Sequence, residues 1–206
     1  QRSIQSITTG ILVREWKQKN ITEIKRIYSR SCINMLILSL FIFGNIWLNA
    51  KDGMELFNIQ SQFSRGLSAF FIFGILRVVD AGTGVNAQVI GASNFWRFEF
   101  FTGVILIAIR IPLSYIFVKE FGIIGTAYSD LISLGVYNYI RFEFLRRKFG
   151  MQPFTLKNLY AIILAVLAFA AAYYPFQDAH GLPVIIGRSI IFSLVLIAGV
   201  WVFKLT

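Results

Sequence analysis

The chain has 206 residues, 56% of them hydrophobic and 15% charged, with a net charge of +10 and a mean hydropathy of +0.66. That apolar share exceeds the roughly 45–50% of soluble domains, and six apolar stretches of near-membrane length leave no room for a separate soluble domain. Its one cysteine, Cys32, excludes an intrachain disulfide, and its basic residues are concentrated in alternate connections, a pattern that argues against a nucleic-acid face.

Residues 1–10 read as the last turns of an earlier helix, and a start without Met predicts a fragment of a longer protein. In 17–30, Ile21, Ile24 and Tyr28 recur at spacings of three and four among Lys17, Lys19, Lys25, Arg26 and Arg30. That pattern predicts an amphipathic helix lying along the cytoplasmic interface and feeding the first span. Residues 31–50 then run without a charged side chain, and a hydrocarbon core of roughly 30 Å needs about 20 apolar residues as a helix. The predicted spans are 31–49, 64–91, 97–118, 122–145, 157–175 and 183–204, giving an all-α polytopic membrane bundle. Stretch 1–30 precedes the bundle, 31–150 supplies four spans and 151–206 two more. Trp47, Trp96, Tyr115, Tyr173, Tyr174 and Trp201 fall near span ends, as aromatic belts do.

Basic side chains alternate with the crossings. Arg2, Arg14, Lys17, Lys19, Lys25, Arg26 and Arg30 precede the first span, Arg97 lies in the third connection, and Arg146, Arg147, Lys148 and Lys157 crowd the fifth. The intervening loops, 51–63, 119–121 and 176–182, are poor in them. The positive-inside rule places the rich loops and the C-terminus in the cytoplasm and the poor loops outside.

The middle portions of the second, third and fourth spans carry charge: Arg77 and Asp80, Arg110, and Asp130. The first, fifth and sixth read as clean. A charge at the bilayer centre costs roughly 2.5–3.5 kcal/mol on insertion scales, so each should face a partner or a hydrated cavity. Arg77 and Asp80 are about 60° apart around a helix and can pair with each other; alternatively Arg77 holds an anionic substrate through its planar fork while Asp80 orients it. The segment 81–88, Ala-Gly-Thr-Gly-Val-Asn-Ala-Gln, weakens the helix at depth and offers Asn86, for close packing or for substrate contact. Arg110 precedes Pro112 and either faces the interior or snorkels outward. Asp130, Ser133 and Tyr137 make a polar stripe with Asn138 beside it. Asp130 is expected to pair with Arg77 or Arg110, or to titrate in an ion-coupled cycle.

Arg97, Glu99, Arg141 and Glu143 sit among aromatics near the interface and read as anchors. His180 reads as a solvated loop residue without companions. No metal-spaced cluster, nucleophile elbow or phosphate loop is present, so neither enzyme activity nor a cofactor is expected.

Taken in order, Glu15-Trp16-Lys17, Ile24-Lys25-Arg26-Ile27-Tyr28, Arg77-Val78-Val79-Asp80-Ala81-Gly82-Thr83-Gly84-Val85-Asn86, Ile90-Gly91-Ala92-Ser93, Phe121-Gly122-Ile123-Ile124-Gly125-Thr126-Ala127 and Lys148-Phe149-Gly150-Met151-Gln152-Pro153-Phe154 resemble the C-terminal part of bacterial polysaccharide-biosynthesis flippases. That superfamily also holds multidrug and toxic-compound extruders and lipid II flippases. The resemblance implies about fourteen spans in two lobes plus two extra helices, with this chain supplying the second lobe from the end of span eight onward. It implies alternating-access transfer of undecaprenyl-pyrophosphate-linked oligosaccharides to the outer leaflet. The partners it implies are that lipid-linked saccharide, membrane lipids and the missing N-terminal lobe. On this resemblance Arg77 and Arg110 bind the pyrophosphate, with Asp80, Asn86 and Asp130 in support. A drug or cation extruder of the same fold, and a non-transporting scaffold of glycan assembly with fully neutralised intramembrane charges, are the competing readings.

Overall fold

Long apolar stretches without an internal breaker become helix here, and no strand occurs among the described residues. The computed structural model describes residues 2–59 and 66–206. The expected start of the second span at 64, and the Arg2 side chain, lie outside what is described. The helices are α1 (Arg2–Lys17), α2 (Ile21–Leu48), α3 (Ala50–Leu56), α4 (Leu67–Gly82), α5 (Asn86–Gly91), α6 (Trp96–Phe121), α7 (Ile123–Phe149), α8 (Leu156–Tyr173) and α9 (Leu182–Val202), with a 3₁₀ turn at Tyr174–Phe176.

Four helical stretches, Ile21–Leu48, Trp96–Phe121, Leu156–Phe176 and Leu182–Val202, are long and apolar enough to cross a membrane, and they mark a membrane protein. The other two expected spans do not meet that measure as described. α4 has 16 residues, about 24 Å of rise against a core of roughly 30 Å. α7 is long, but Asp130, Arg141, Glu143, Arg146, Arg147 and Lys148 lower its hydropathy.

The segment 17–30 differs from expectation. It is not a separate interfacial helix: α1 ends at Lys17, and from Ile21 one helix continues to Leu48. Asn20 makes the break, its side chain accepting from the Glu23 backbone N–H at 3.3 Å while its amide donates to the buried Glu15 at 2.8 Å.

Helices pack in a row. α6 lies on α7, α7 on α4, α4 on α2, and α2 on α8 and α9, while short α5 bridges α6, α7 and α1. Two apolar cores follow, and α2 feeds both. One gathers Leu12, Ile24, Tyr28, Cys32, Val85 and Leu145; the other Leu36, Val78, Leu164, Ala168, Phe192 and Leu196. In α8 the stripe Ala161, Ala165, Ala168 and Ala172 is buried, which lets neighbouring backbones approach. Gly44 of α2 serves the same end, because a Cβ there would overlap the Phe192 ring.

α6 has little cover. Phe100, Phe101, Ile107, Ile111 and Tyr115 are each more than half-exposed, a surface suited to lipid or to a further protein segment.

At one end of the row the basic segments converge. Lys25 lies beside Gly150, Ser29 donates to the Pro153 carbonyl at 3.2 Å, and Lys157 donates to the Lys204 carbonyl at 2.5 Å. The start of α8 is fixed there by Asn158, whose side-chain oxygen accepts from the Thr155 backbone N–H at 3.0 Å. Asn158→Ala is expected to cost about 1 kcal/mol, read as a lower melting temperature in detergent.

Candidate functional site

The interruption between α4 and α5 organises the polar side chains. Glycines at 82 and 84 disfavour continued helix, and Gly84 takes a positive φ of 67°. The turn docks on α2, where Val85 N–H donates to Ser31 Oγ at 3.2 Å and that hydroxyl donates to the Tyr28 carbonyl at 2.7 Å. Asp80, Thr83 and Asn86 are thereby turned toward α7.

There they meet Asn138, which is buried. Its amide donates to Asp80 Oδ1 at 3.1 Å, and its carbonyl oxygen accepts from Asn86 Nδ2 at 3.4 Å and Thr83 Oγ1 at 3.5 Å. Asp80 and Asn86, expected together, do share a site. Asn138 is its hub, a role the residue's place beside the α7 stripe could have signalled.

A second group joins α6 to α7. Arg110 forks onto Asp130 through two hydrogen bonds of 2.6 Å, Nε to Oδ1 and Nη2 to Oδ2. Of the expected partners for Asp130 the structure selects Arg110, with 48% of the arginine side chain still exposed.

A third group corrects the reading of Glu99 and Arg141 as interface anchors. Arg141 is buried, ion-paired with Glu99 of α6 and hydrogen-bonded to Tyr137, with its guanidinium 3.6 Å from the Tyr137 ring centroid. Asp80 lies within electrostatic reach of Arg141 and Tyr137. Burial forces this arrangement, since a guanidinium withdrawn from water must be paired. The face of α7 from Asp130 through Ser133, Tyr137 and Asn138 to Arg141 is therefore one polar seam about 16 Å long.

Arg77 stands apart. It is exposed and has no hydrogen bond or ion pair among the described residues, so the expected Arg77–Asp80 pair does not form. The reason is geometric: Asp80 faces α7 and bonds Asn138, while Arg77 lies on the open flank of α4. The row also separates Arg77 from Arg110, because α7 lies between α4 and α6. The five predicted residues thus fall into Asp80 with Asn86, Arg110 with Asp130, and Arg77 alone.

At the end opposite the basic segments lies a cluster that sequence reasoning missed. Arg188, six residues into the helix read as clean, is buried and paired with buried Asp52 of α3. His180 is not without companions: its Nδ1 lies 3.0 Å from Asp52 Oδ1. Asp52, Glu55 and His180 place possible ligand atoms within 4.8 Å of one another. Both carboxylate oxygens of Asp52 are already engaged, so the group reads as a structural clamp.

Compared with known proteins, the chain matches no family model, no curated protein and no solved structure.

Proposed function

We propose that this chain is the C-terminal lobe, with two added helices, of a membrane transporter that flips polyprenyl-pyrophosphate-linked oligosaccharides by alternating access. Six crossings follow if α4, its interruption and α5 cross as one broken helix and α7 crosses with its polar seam shielded by α4 and α6. Broken helices are tolerated at membrane depth where they are buried in protein or line a water-filled cavity. The basic end is then cytoplasmic in a bacterial inner membrane.

The observation that carries this reading is Arg77, a guanidinium left unneutralised on the open flank of α4, one turn before the break. An unpaired cation within a span is a functional group by default, and its planar fork suits a pyrophosphate. On this reading the missing N-terminal lobe faces that flank. Arg110 contributes less, because Asp130 already holds it.

Neutralisation of Arg110, Asp130, Glu99 and Arg141 by their neighbours favours a second reading, a non-transporting scaffold of glycan assembly. Arg77 separates the two. In the full-length protein, Arg77→Ala is expected to abolish surface glycan and leave lipid-linked precursor on the cytoplasmic leaflet, with membrane level and melting temperature unchanged because no bond is lost. Normal export by that variant would favour the scaffold. Altered drug susceptibility with intact surface glycan would favour an extruder.

A further inference from the structure

At the basic end the first turn of α6 and the last turns of α7 line an open groove of about 540 Å³. Its floor is apolar, built from Phe98, Ile140 and Phe144, and the Phe98 and Phe144 rings stack at 3.9 Å between centroids with 16° between planes. Its rim is cationic. Arg147 and Lys148 close the end nearest the α7 C-terminus, and Tyr139 stands at the other end, eight residues or about 12 Å along the helix.

The one acid in the groove does not cancel those charges. Glu143 accepts from Arg147 Nε at 2.5 Å and from Arg146 Nε at 2.9 Å, so one carboxylate serves two guanidiniums. The Arg147 side chain is 79% exposed, and its two Nη groups have no hydrogen-bond partner among the described residues. The Lys148 ammonium, 5.0 Å from the Phe95 ring centroid, has no carboxylate partner there either. A guanidinium fork with free Nη groups beside an ammonium matches phosphate oxygens. An apolar trough running about 12 Å from that rim matches the first part of an acyl chain.

We propose that this groove binds an anionic phospholipid of the leaflet at the basic end, its headgroup phosphate on Arg147 and Lys148 and one acyl chain along Phe98, Ile140 and Phe144. A free phosphate would use the rim alone and leave the apolar floor wet; a zwitterionic lipid would fill the floor but return no net charge to the rim. The site rests on the membrane character of the chain and is independent of whether the protein moves a lipid-linked saccharide.

Native mass spectrometry of the full-length protein in neutral detergent tests it, with phosphatidylglycerol, phosphatidylcholine and glycerol 3-phosphate as probes. Phosphatidylglycerol should bind in preference to the other two. Combined Arg147→Gln and Lys148→Gln should weaken it about 30-fold, without unfolding because both side chains are exposed. Ile140→Gln should also weaken phosphatidylglycerol while leaving the weak glycerol 3-phosphate signal unchanged. Equal binding of phosphatidylcholine, full phosphatidylglycerol affinity in the double variant, or glycerol 3-phosphate binding as tight as the lipid would each overturn the assignment.

Discussion

Arg188→Ala is expected to destabilise the protein by about 3–5 kcal/mol, the range for breaking one partner of a buried ion pair. The guanidinium spans three segments: one Nη pairs with Asp52 of α3, while the other donates to the Phe176 carbonyl at 2.5 Å and the Ala179 carbonyl at 3.4 Å. It also lies 5.7 Å from the Tyr173 ring centroid. Removing it strands a carboxylate that is itself buried and takes a donor from two carbonyls of the α8–α9 connection, of which Phe176 keeps the Ala179 backbone N–H at 3.2 Å. His180 cannot compensate, because it is an exposed side chain touching only one carboxylate oxygen. In detergent the melting temperature should fall by on the order of 10 °C. Arg188→Lys should fall between, since an ammonium is a compact point donor without the fork that reaches both sides. His180→Ala should change stability by about 1 kcal/mol or less. Asp52→Leu combined with Arg188→Met should recover most of the loss, because an apolar pair of similar volume avoids the desolvation that the ions require. An Arg188→Ala protein melting with the parent would show that the clamp does not hold the fold.

That clamp also marks where sequence reading runs out. Hydropathy finds the apolar runs, and charge alternation finds the end at which Lys25, Arg147 and Lys157 gather, because both are sums over local composition. The Arg110–Asp130 pair was legible in part: the sequence points Asp130 to Arg77 or Arg110, and only the packing of α6 on α7 selects Arg110. Arg188 was not legible. It lies near the end of an apolar run, and its partner Asp52 is 136 positions away in what reads as loop, so only the packing of α9 on α3 joins them. Arg141 was misread for a related reason: its neighbours in sequence are aromatic and basic, while the acid that pairs with it, Glu99, sits 42 positions earlier on α6. The boundary at Asn20 is different in kind. Asn20-Ile21-Thr22-Glu23 carries the spacing of a helix N-terminus, and the signal was outweighed by the amphipathic pattern running through it.

Gly84→Ala is expected to cost about 3 kcal/mol and to disturb the break between α4 and α5 more than any exposed change nearby. Two independent penalties add. The backbone at Gly84 sits at φ 67°, a conformation that costs an L side chain roughly 1–2 kcal/mol. A Cβ there would also lie 2.6 Å from Ser31 Oγ and 2.9 Å from the Cys32 backbone nitrogen, so α2 must retreat or the turn must lift off it. Either movement breaks the Val85 N–H to Ser31 Oγ bond and leaves a buried donor unpaired, at about 1–3 kcal/mol. Lifting the turn also displaces Thr83 and Asn86 from Asn138, so the melting temperature should drop and function should fail together. Gly103 is the control: nothing lies within 4 Å of a Cβ built there, it sits inside α6, and Gly103→Ala should be neutral or stabilising by up to about 1 kcal/mol. Serine at 31 supplies the second check. Ser31→Ala should leave the same buried Val85 N–H unpaired, about 1–3 kcal/mol. In a Ser31→Ala background Gly84→Ala should cost less than in the parent, because that bond is already lost and Ser31 Oγ, one of three atoms crowding the new methyl beside Cys32 Sγ and the Cys32 nitrogen, is gone. Equal costs in the two backgrounds would mean that the positive φ and the Cys32 contacts, and not Ser31, are what require glycine at this position.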